Sequence, residues 1–142
     1  MSEVKAIPAG YEGVTPYLIC KNAEGAIDFY KRAFGAVELF RIGSPGMVGH
    51  AELKIGNAIF MMADEHPQMG IHSPETVGGT PVHLLVYVAD VDAFAEKAVD
   101  EGMEVLKPVE DQFTATAPAN TKIRTATSGH SPLTSKTFRP KK

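Results

Sequence analysis

Residues 14–42 read VTPYLICKNAEGAIDFYKRAFGAVELFRI and predict a strand, a helix and a second strand, in that order. The apolar run at 17–20 is short enough for one buried strand and too short for an ordinary helix. Asn22 is a suitable cap for the helix that follows, and Gly35 can supply the left-handed residue that ends it. Apolar residues recur at helical spacing between these two ends, namely Ala23, Ala26, Ile27, Tyr30 and Phe34. The stretch therefore predicts a βαβ unit whose helix has one apolar face.

The same pattern returns at residues 82–107. HLLVYV predicts the strand, Asp90 the helix cap and Gly102 the helix end, and the next strand begins at Met103. The two glycines that end the helices are 67 residues apart, which leaves room for two more strands in each half. Internal duplication at this period indicates a fold built from two similar halves.

The remainder of the first half predicts three consecutive strands. Residues 37–42 form the first, a turn follows at 43–46, and residues 48–55 alternate with His50, Glu52 and Lys54 on one face. The pair Gly56-Asn57 is a typical two-residue hairpin turn, and AIFMMA at 58–63 completes a βαβββ module.

Changes in composition divide the chain into five segments. An irregular lead-in precedes the first module, and a Pro- and Gly-rich connection without periodicity separates it from the second. A basic, Thr-rich tail follows the part of the second module that resembles the first. The segments are 1–13, 14–66, 67–81, 82–113 and 114–142.

Composition is that of an ordinary globular protein of 142 residues. No apolar stretch approaches the length of a membrane span, and a single cysteine, Cys20, is typical of a reducing compartment. We therefore expect a cytoplasmic protein with no membrane partner. The charge is uneven, because residues 114–142 hold six Lys or Arg and no Asp or Glu, a pattern often found in nucleic-acid-binding tails.

Four motifs carry a resemblance to a known family: DFYKRAFGA, GHAEL, GNAIFMMADE and HLLVYVADVDAF. With the repeat, they make residues 14–113 similar to the vicinal oxygen chelate superfamily, which includes glyoxalase I, bleomycin-resistance proteins and extradiol dioxygenases. The PhnB-like branch is the most similar. The resemblance implies an α+β fold of two βαβββ modules, with curved sheets around a small-molecule cavity, in a homodimer.

The segment from Thr114 departs from that family, in which YGDR is followed by DP[FY]GHxW and a final strand. Loss of one base after the codon of Phe113 would convert such a segment into the one present, so we interpret the C-terminus as frameshifted. Resequencing the coding DNA tests this interpretation, which fails if no one-base change restores DPYGHxW. On this interpretation the basic charge is an accident of reading frame, and no nucleic-acid partner is expected. The last strands of the second module are then formed by the Thr-rich sequence, with residues 122–127 favourable, or are absent.

The resemblance also implies a divalent metal held by His and Glu from the first, fourth, fifth and eighth strands. His83 matches the fifth-strand position. The first-strand position falls on Thr15 or Pro16, and the fourth on Met61 or Met62, none of which matches the implied set.

His50 and Glu52, on one face of their predicted strand, are the other candidate metal ligands, although the same spacing is typical of a solvated strand face. We therefore expect no cofactor, with a divalent metal at His83, His50 and Glu52 as the alternative.

The cavity that the resemblance implies has candidate lining residues on several strands. On the first strand the lining set is either Pro16, Leu18 and Cys20 or Thr15, Tyr17 and Ile19, since a shift of one residue exchanges the faces. The candidate ligand-binding residues are Tyr17, His50, Phe60, Met62, His83 and Tyr87.

Three functions are consistent with these residues. The first is binding of a small, partly hydrophobic molecule in a dimer-associated cleft, which we favour. The second is a metal-dependent lyase, isomerase or dioxygenase reaction, and the third is a protein with no remaining site. The sequence does not decide whether the chain is an enzyme and does not identify the ligand.

Overall fold

The computed structural model of the protein describes residues 3–103 and 121–126, apart from the side chains of residues 83, 85, 91 and 121–126. This part of the chain contains six strands and three helices, with a single 3₁₀ turn at Pro67–Met69. In chain order they are β1 (Tyr17–Cys20), α1 (Ala23–Phe34), β2 (Val37–Ser44), β3 (Met47–Ile55), β4 (Ala58–Asp64), α2 (Pro74–Val77), β5 (His83–Val88), α3 (Val91–Asp100) and β6 (Thr121–Ala126).

The first half folds as one four-stranded sheet with the order β1-β4-β3-β2. β1 is parallel to β4, and the other two pairs are antiparallel. In the register Tyr17 lies opposite Met61, which in turn lies opposite Glu52. This arrangement is the βαβββ unit that the sequence predicts, and the α+β fold class is confirmed.

Helix α1 begins and ends where its sequence predicts. The Asn22 side chain accepts a hydrogen bond from the Gly25 backbone N–H, and Gly35 adopts the left-handed conformation at φ 65°. A residue with a Cβ is strained in that conformation, which explains the glycine. The face of α1 turned to the sheet carries the buried residues Ala23, Ile27, Phe29, Tyr30, Ala33 and Phe34.

The β2–β3 hairpin is longer than the sequence predicts. We expected a four-residue turn at 43–46, but pairing continues as far as Ser44 and Met47, so the turn itself is Pro45-Gly46. Pro45 fixes a negative φ and Gly46 takes a positive φ of 77°, which is the combination that a type II turn requires. The extension comes with irregularities in the register, one of them between Ile42 and Gly43.

The second half repeats the first in β5 and α3, with Asp90 capping α3 through the Ala93 N–H. Leu84 and Val88 of β5 pack against the hydrophobic core. The Thr-rich sequence does form a strand, β6, but β6 is antiparallel to β5, whereas β1 has a parallel neighbour. The strand expected at 103–106 lies outside the described residues beyond Met103, as do most of the residues that bear on the proposed frameshift.

The two halves meet through their helices. The rings of Phe34 and Phe94 stack with centroids 5.2 Å apart, and Arg32 Nε lies 2.9 Å from a carboxylate oxygen of Glu101. In the part of the chain that the structure describes, no helix is long and apolar enough to cross a membrane.

Candidate functional site

The two faces of the four-stranded sheet differ in their surroundings, because one packs against α1 and the other faces away from it. Alternation along the strands sends Leu18, Leu53 and Met62 into the core beneath α1, where all three are buried. Residues of the other parity lie on the opposite face, away from α1. We call this surface the open face and define it by Tyr17, Phe40, Ile42, His50 and Glu52, which the strand register places on one side.

A chain of hydrogen bonds runs across the open face. The Tyr17 hydroxyl lies 2.9 Å from His50 Nδ1, and His50 Nε2 lies 3.1 Å from Glu52 Oε1. The second Glu52 oxygen accepts a hydrogen bond from the hydroxyl of Tyr11, 41 residues away along the chain. The Tyr17 ring also meets the imidazole edge-on, with centroids 5.4 Å apart. Four polar side chains thus form one connected network, which we call the polar network.

Hydrogen bonding sets the charge state of this network. The bond from Tyr11, and after it the bond from His50, hold the pKa of Glu52 below its ordinary value. The same carboxylate raises the pKa of Tyr11, because the phenol that donates to an anion resists losing its proton. At neutral pH the network therefore contains an ionised Glu52 carboxylate that accepts from the neutral phenol of Tyr11.

Tyr11 is a site residue that the sequence did not reveal. It belongs to the lead-in, which has no periodicity, and it lies between Gly10 and Gly13, whose φ angles are 89° and 88°. These conformations favour glycine and let the lead-in turn onto the sheet, where a Cβ at Gly10 would lie 3.1 Å from Ile59 Cδ1. An aromatic residue between two glycines is the signal that was available.

A cavity of about 720 Å³ lies between the two halves. Its volume is within the range of small-molecule pockets, and most of its lining is apolar. The lead-in contributes Gly10 and Glu12, so the segment that carries Tyr11 borders the cavity as well as the open face. The apolar side chains from the two halves include Leu18, Phe34, Phe60, Leu84, Val86, Val88 and Phe94.

The structure separates the ligand-binding residues predicted from sequence into groups. Tyr17 and His50 lie together on the open face, whereas Phe60 and Tyr87 border the cavity. Met62 is fully buried in the core beneath α1, so it packs the protein interior. The side chain of His83 lies outside what the structure describes, and its predicted role stays a prediction.

The divalent metal that the resemblance implies stays a prediction, because the side chain of His83, the fifth-strand candidate, lies outside the described residues. The described residues include no group of three His, Cys, Asp or Glu side chains that could hold an ion. His50 and Glu52 supply two donors, and both are already hydrogen-bonded to tyrosines. We therefore derive no catalytic step through a metal.

Comparison with known proteins agrees with this fold. The sequence pattern of the glyoxalase/bleomycin resistance protein/dioxygenase superfamily matches residues 13–121. The chain belongs to this superfamily. The match covers the first module and the second module through β5 and α3. In this glyoxalase-superfamily chain Tyr17, His50 and Glu52 of the polar network lie within the match, whereas Tyr11 precedes it, as do Gly10 and Glu12 of the cavity lining.

Two mycobacterial proteins are similar to this chain in sequence. An uncharacterised protein of Mycobacterium bovis is 42% identical over 104 residues, which cover 70% of this chain and 68% of that protein. An uncharacterised protein of Mycobacterium tuberculosis has the same identity over the same length, but the matched region spans only 61% of it.

Several solved structures have a similar fold at low sequence identity. A gene product of Arabidopsis thaliana is 22% identical with a TM-score of 0.62, covering 92% of this chain and 99% of that one. The bleomycin resistance determinant encoded on transposon Tn5 is 14% identical with a TM-score of 0.52, over 92% and 99%. A PhnB protein from Bacillus cereus is 18% identical with a TM-score of 0.53, over 91% and 98%.

Proposed function

We propose that this protein binds a small, partly hydrophobic molecule on the open face, in a cleft that a second copy of the chain completes. The observation that carries the proposal is the polar network, which lies among exposed apolar side chains. Small-molecule sites combine these two components, because apolar surface supplies affinity while a few fixed polar groups set orientation.

Exposure of large apolar side chains supports this location. Tyr17, Phe40 and Ile42 are 48%, 48% and 57% exposed, although each belongs to a regular strand of the sheet. Clustered apolar surface of this kind is typical of binding sites in soluble proteins. The Phe40 ring is 6.4 Å from the imidazole of His50, so apolar and polar surfaces adjoin within one ligand's reach.

A second copy of the chain would enclose the ligand. Exposed apolar residues continue from the open face along the β2–β3 hairpin, at Val37, Leu39 and Met47. Their burial against another copy is favourable at about 25 cal/mol per Å² of apolar surface. Sedimentation at several concentrations tests this part of the proposal, and a monomer at all of them contradicts it.

Melting temperature in the presence of aromatic fragments tests ligand binding. A compound that binds only the folded state stabilises it by RT ln(1 + [L]/Kd), about 2.7 kcal/mol at a hundredfold excess over Kd. Phe40→Ser is expected to abolish the shift, because it removes apolar surface beside the polar network. Met69→Ser is the matched control, since Met69 is 72% exposed and lies in the connection between the halves.

A variant that fills the cavity distinguishes the open face from the cavity as the binding site. Ala58 borders the cavity and is exposed, so Ala58→Trp partly fills the cavity without displacing a core residue. Binding that survives Phe40→Ser but is lost in Ala58→Trp contradicts the open face as the site. Absence of any fragment that shifts the wild-type protein contradicts ligand binding altogether.

A further inference from the structure

Both oxygens of Glu52 accept hydrogen bonds, and this determines which of Glu52 and His50 carries the proton of the hydrogen bond between them. One oxygen accepts from the Tyr11 hydroxyl and the other faces His50 Nε2 at 3.1 Å. An ionised carboxylate has no proton to give, so the hydrogen bond to the imidazole requires the proton to be on Nε2.

The direction of the next hydrogen bond follows from the first. A neutral imidazole that carries its proton on Nε2 has a lone pair on Nδ1 and can only accept there. The group 2.9 Å from Nδ1 is the Tyr17 hydroxyl, which must therefore donate its only proton to the ring. Glu52 in this way positions His50, and His50 positions the hydroxyl of Tyr17.

The polar network consequently has no proton left to offer a ligand. The Tyr17 oxygen keeps a lone pair, and its side chain is 48% exposed on the open face. Lys54 is a further donor on the same face, outside the four side chains of the polar network, and it lies two residues along β3 from Glu52, roughly 7 Å at about 3.3 Å per residue. A ligand held against Tyr17 and Phe40 therefore contacts the Tyr17 oxygen, which is a hydrogen-bond acceptor, and the ionised carboxylate of Glu52 lies behind it.

We infer that the open face selects an apolar molecule with a hydroxyl or N–H donor, and disfavours carboxylates and ligands that can only accept hydrogen bonds. The inference deepens the proposed function and rests on it. A ligand donor completes the network at the Tyr17 oxygen, whereas an ether or carboxylate oxygen faces an unsatisfied lone pair there. The selectivity accordingly depends on Tyr17, whose hydroxyl is oriented by hydrogen bonding to His50 and, through His50, to Glu52.

Three probes of similar shape test the inference: 4-ethylphenol, 4-ethylanisole and 4-ethylbenzoate. Their dissociation constants are measured by ligand-observed NMR at pH 8.5, where imidazole side chains are neutral. The phenol is expected to bind about tenfold more tightly than the anisole, which corresponds to one net hydrogen bond, and the benzoate more weakly than the phenol.

Tyr17→Phe keeps the ring and removes the acceptor, so the phenol-to-anisole ratio is expected to fall to about one. Tyr30→Phe is the matched control, because it removes a hydroxyl from a tyrosine of α1 that is buried in the core, away from the open face. It should leave the ratio at about ten. Long-range ¹H–¹⁵N spectra of His50 provide an independent measurement, with the proton expected on Nε2.

The outcomes separate the inference from the proposed function. Equal affinity of wild-type protein for the phenol and the anisole, a ratio unchanged in Tyr17→Phe, or a proton on Nδ1 alone overturns the selectivity and leaves ligand binding in place. Failure of all three probes to bind overturns both.

Discussion

Replacement of Tyr30 by phenylalanine is expected to stabilise the protein. Tyr30 lies on α1, is fully buried, and packs against Phe34 and Phe60 with ring centroids 5.6 Å away in both cases. No described group lies within hydrogen-bond distance of its hydroxyl. Burial raises the pKa of this phenol well above its ordinary value, so the hydroxyl stays neutral and its polarity is uncompensated.

The magnitude follows from two opposing contributions. Burial of a hydroxyl without a partner costs about 1–3 kcal/mol, which the substitution recovers. Removal of one oxygen forfeits a few van der Waals contacts of about 0.1–0.2 kcal/mol each. The expected net gain in the free energy of unfolding is about 1 kcal/mol, or a melting temperature raised by roughly 3 °C in a chain of this size.

Urea and thermal denaturation of wild type, Tyr30→Phe and Tyr87→Phe measure the effect. Tyr87 is 57% exposed, so its substitution should change the free energy of unfolding by less than about 0.5 kcal/mol. A loss of stability of about 1 kcal/mol or more in Tyr30→Phe refutes the reasoning, because it requires the hydroxyl to have a partner in the folded state.

Three further predictions concern the first half and its connection. Asp64→Ala should lower the free energy of unfolding by about 3 kcal/mol, because Asp64 accepts hydrogen bonds from the Ala23 and Val48 backbone N–H groups at 2.7 and 2.6 Å. Asp28→Ala, at an exposed position, should change the free energy of unfolding by less than about 0.5 kcal/mol. Equal losses for the two variants in urea denaturation contradict this prediction. Hydrogen bonds from the Ser73 backbone N–H and, to a lesser extent, from the Thr76 hydroxyl lower the pKa of Glu65 from 4.5 to about 2. The stability that these bonds contribute is therefore complete above pH 4.5 and is lost as the pH falls towards 2. Melting curves from pH 7 to 2 should therefore decline less in Glu65→Gln than in wild type or Glu96→Gln, and parallel declines exclude this role. Partial burial, and then Asp64, raises the pKa of the half-buried Cys20 to about 12. Iodoacetamide at pH 8 should therefore label the native protein far more slowly than the urea-unfolded protein, and similar rates contradict a protonated, shielded thiol.

The helices and strands of the first half were predictable because their signals are local. Asn22 and Gly35 mark the two ends of α1, and Gly56-Asn57 marks the hairpin between β3 and β4. The turn at 43–46 was predicted too long, because a run of turn-forming residues does not show how far strand pairing continues into it.

The candidate site was only partly predictable, since its contacts join residues distant in sequence. Tyr17 and His50 were candidates from sequence, but their hydrogen bond depends on the register of three strands. Tyr11 was missed because nothing local relates it to Glu52. Met62 and Met61 are adjacent and both apolar, so no local signal indicated which of them faces the core.

Strand β1 joins its sheet by a long connection, and this affects the order of folding. The β2–β3 and β3–β4 pairs close through two-residue turns, whereas the parallel pair of β1 and β4 brings together Tyr17 and Met61, 44 residues apart. Closing such a loop costs more chain entropy and takes longer than closing a hairpin. We therefore expect the three-stranded meander to form first and β1, which carries Tyr17, to join it late, so that the candidate site is completed only at the end of folding.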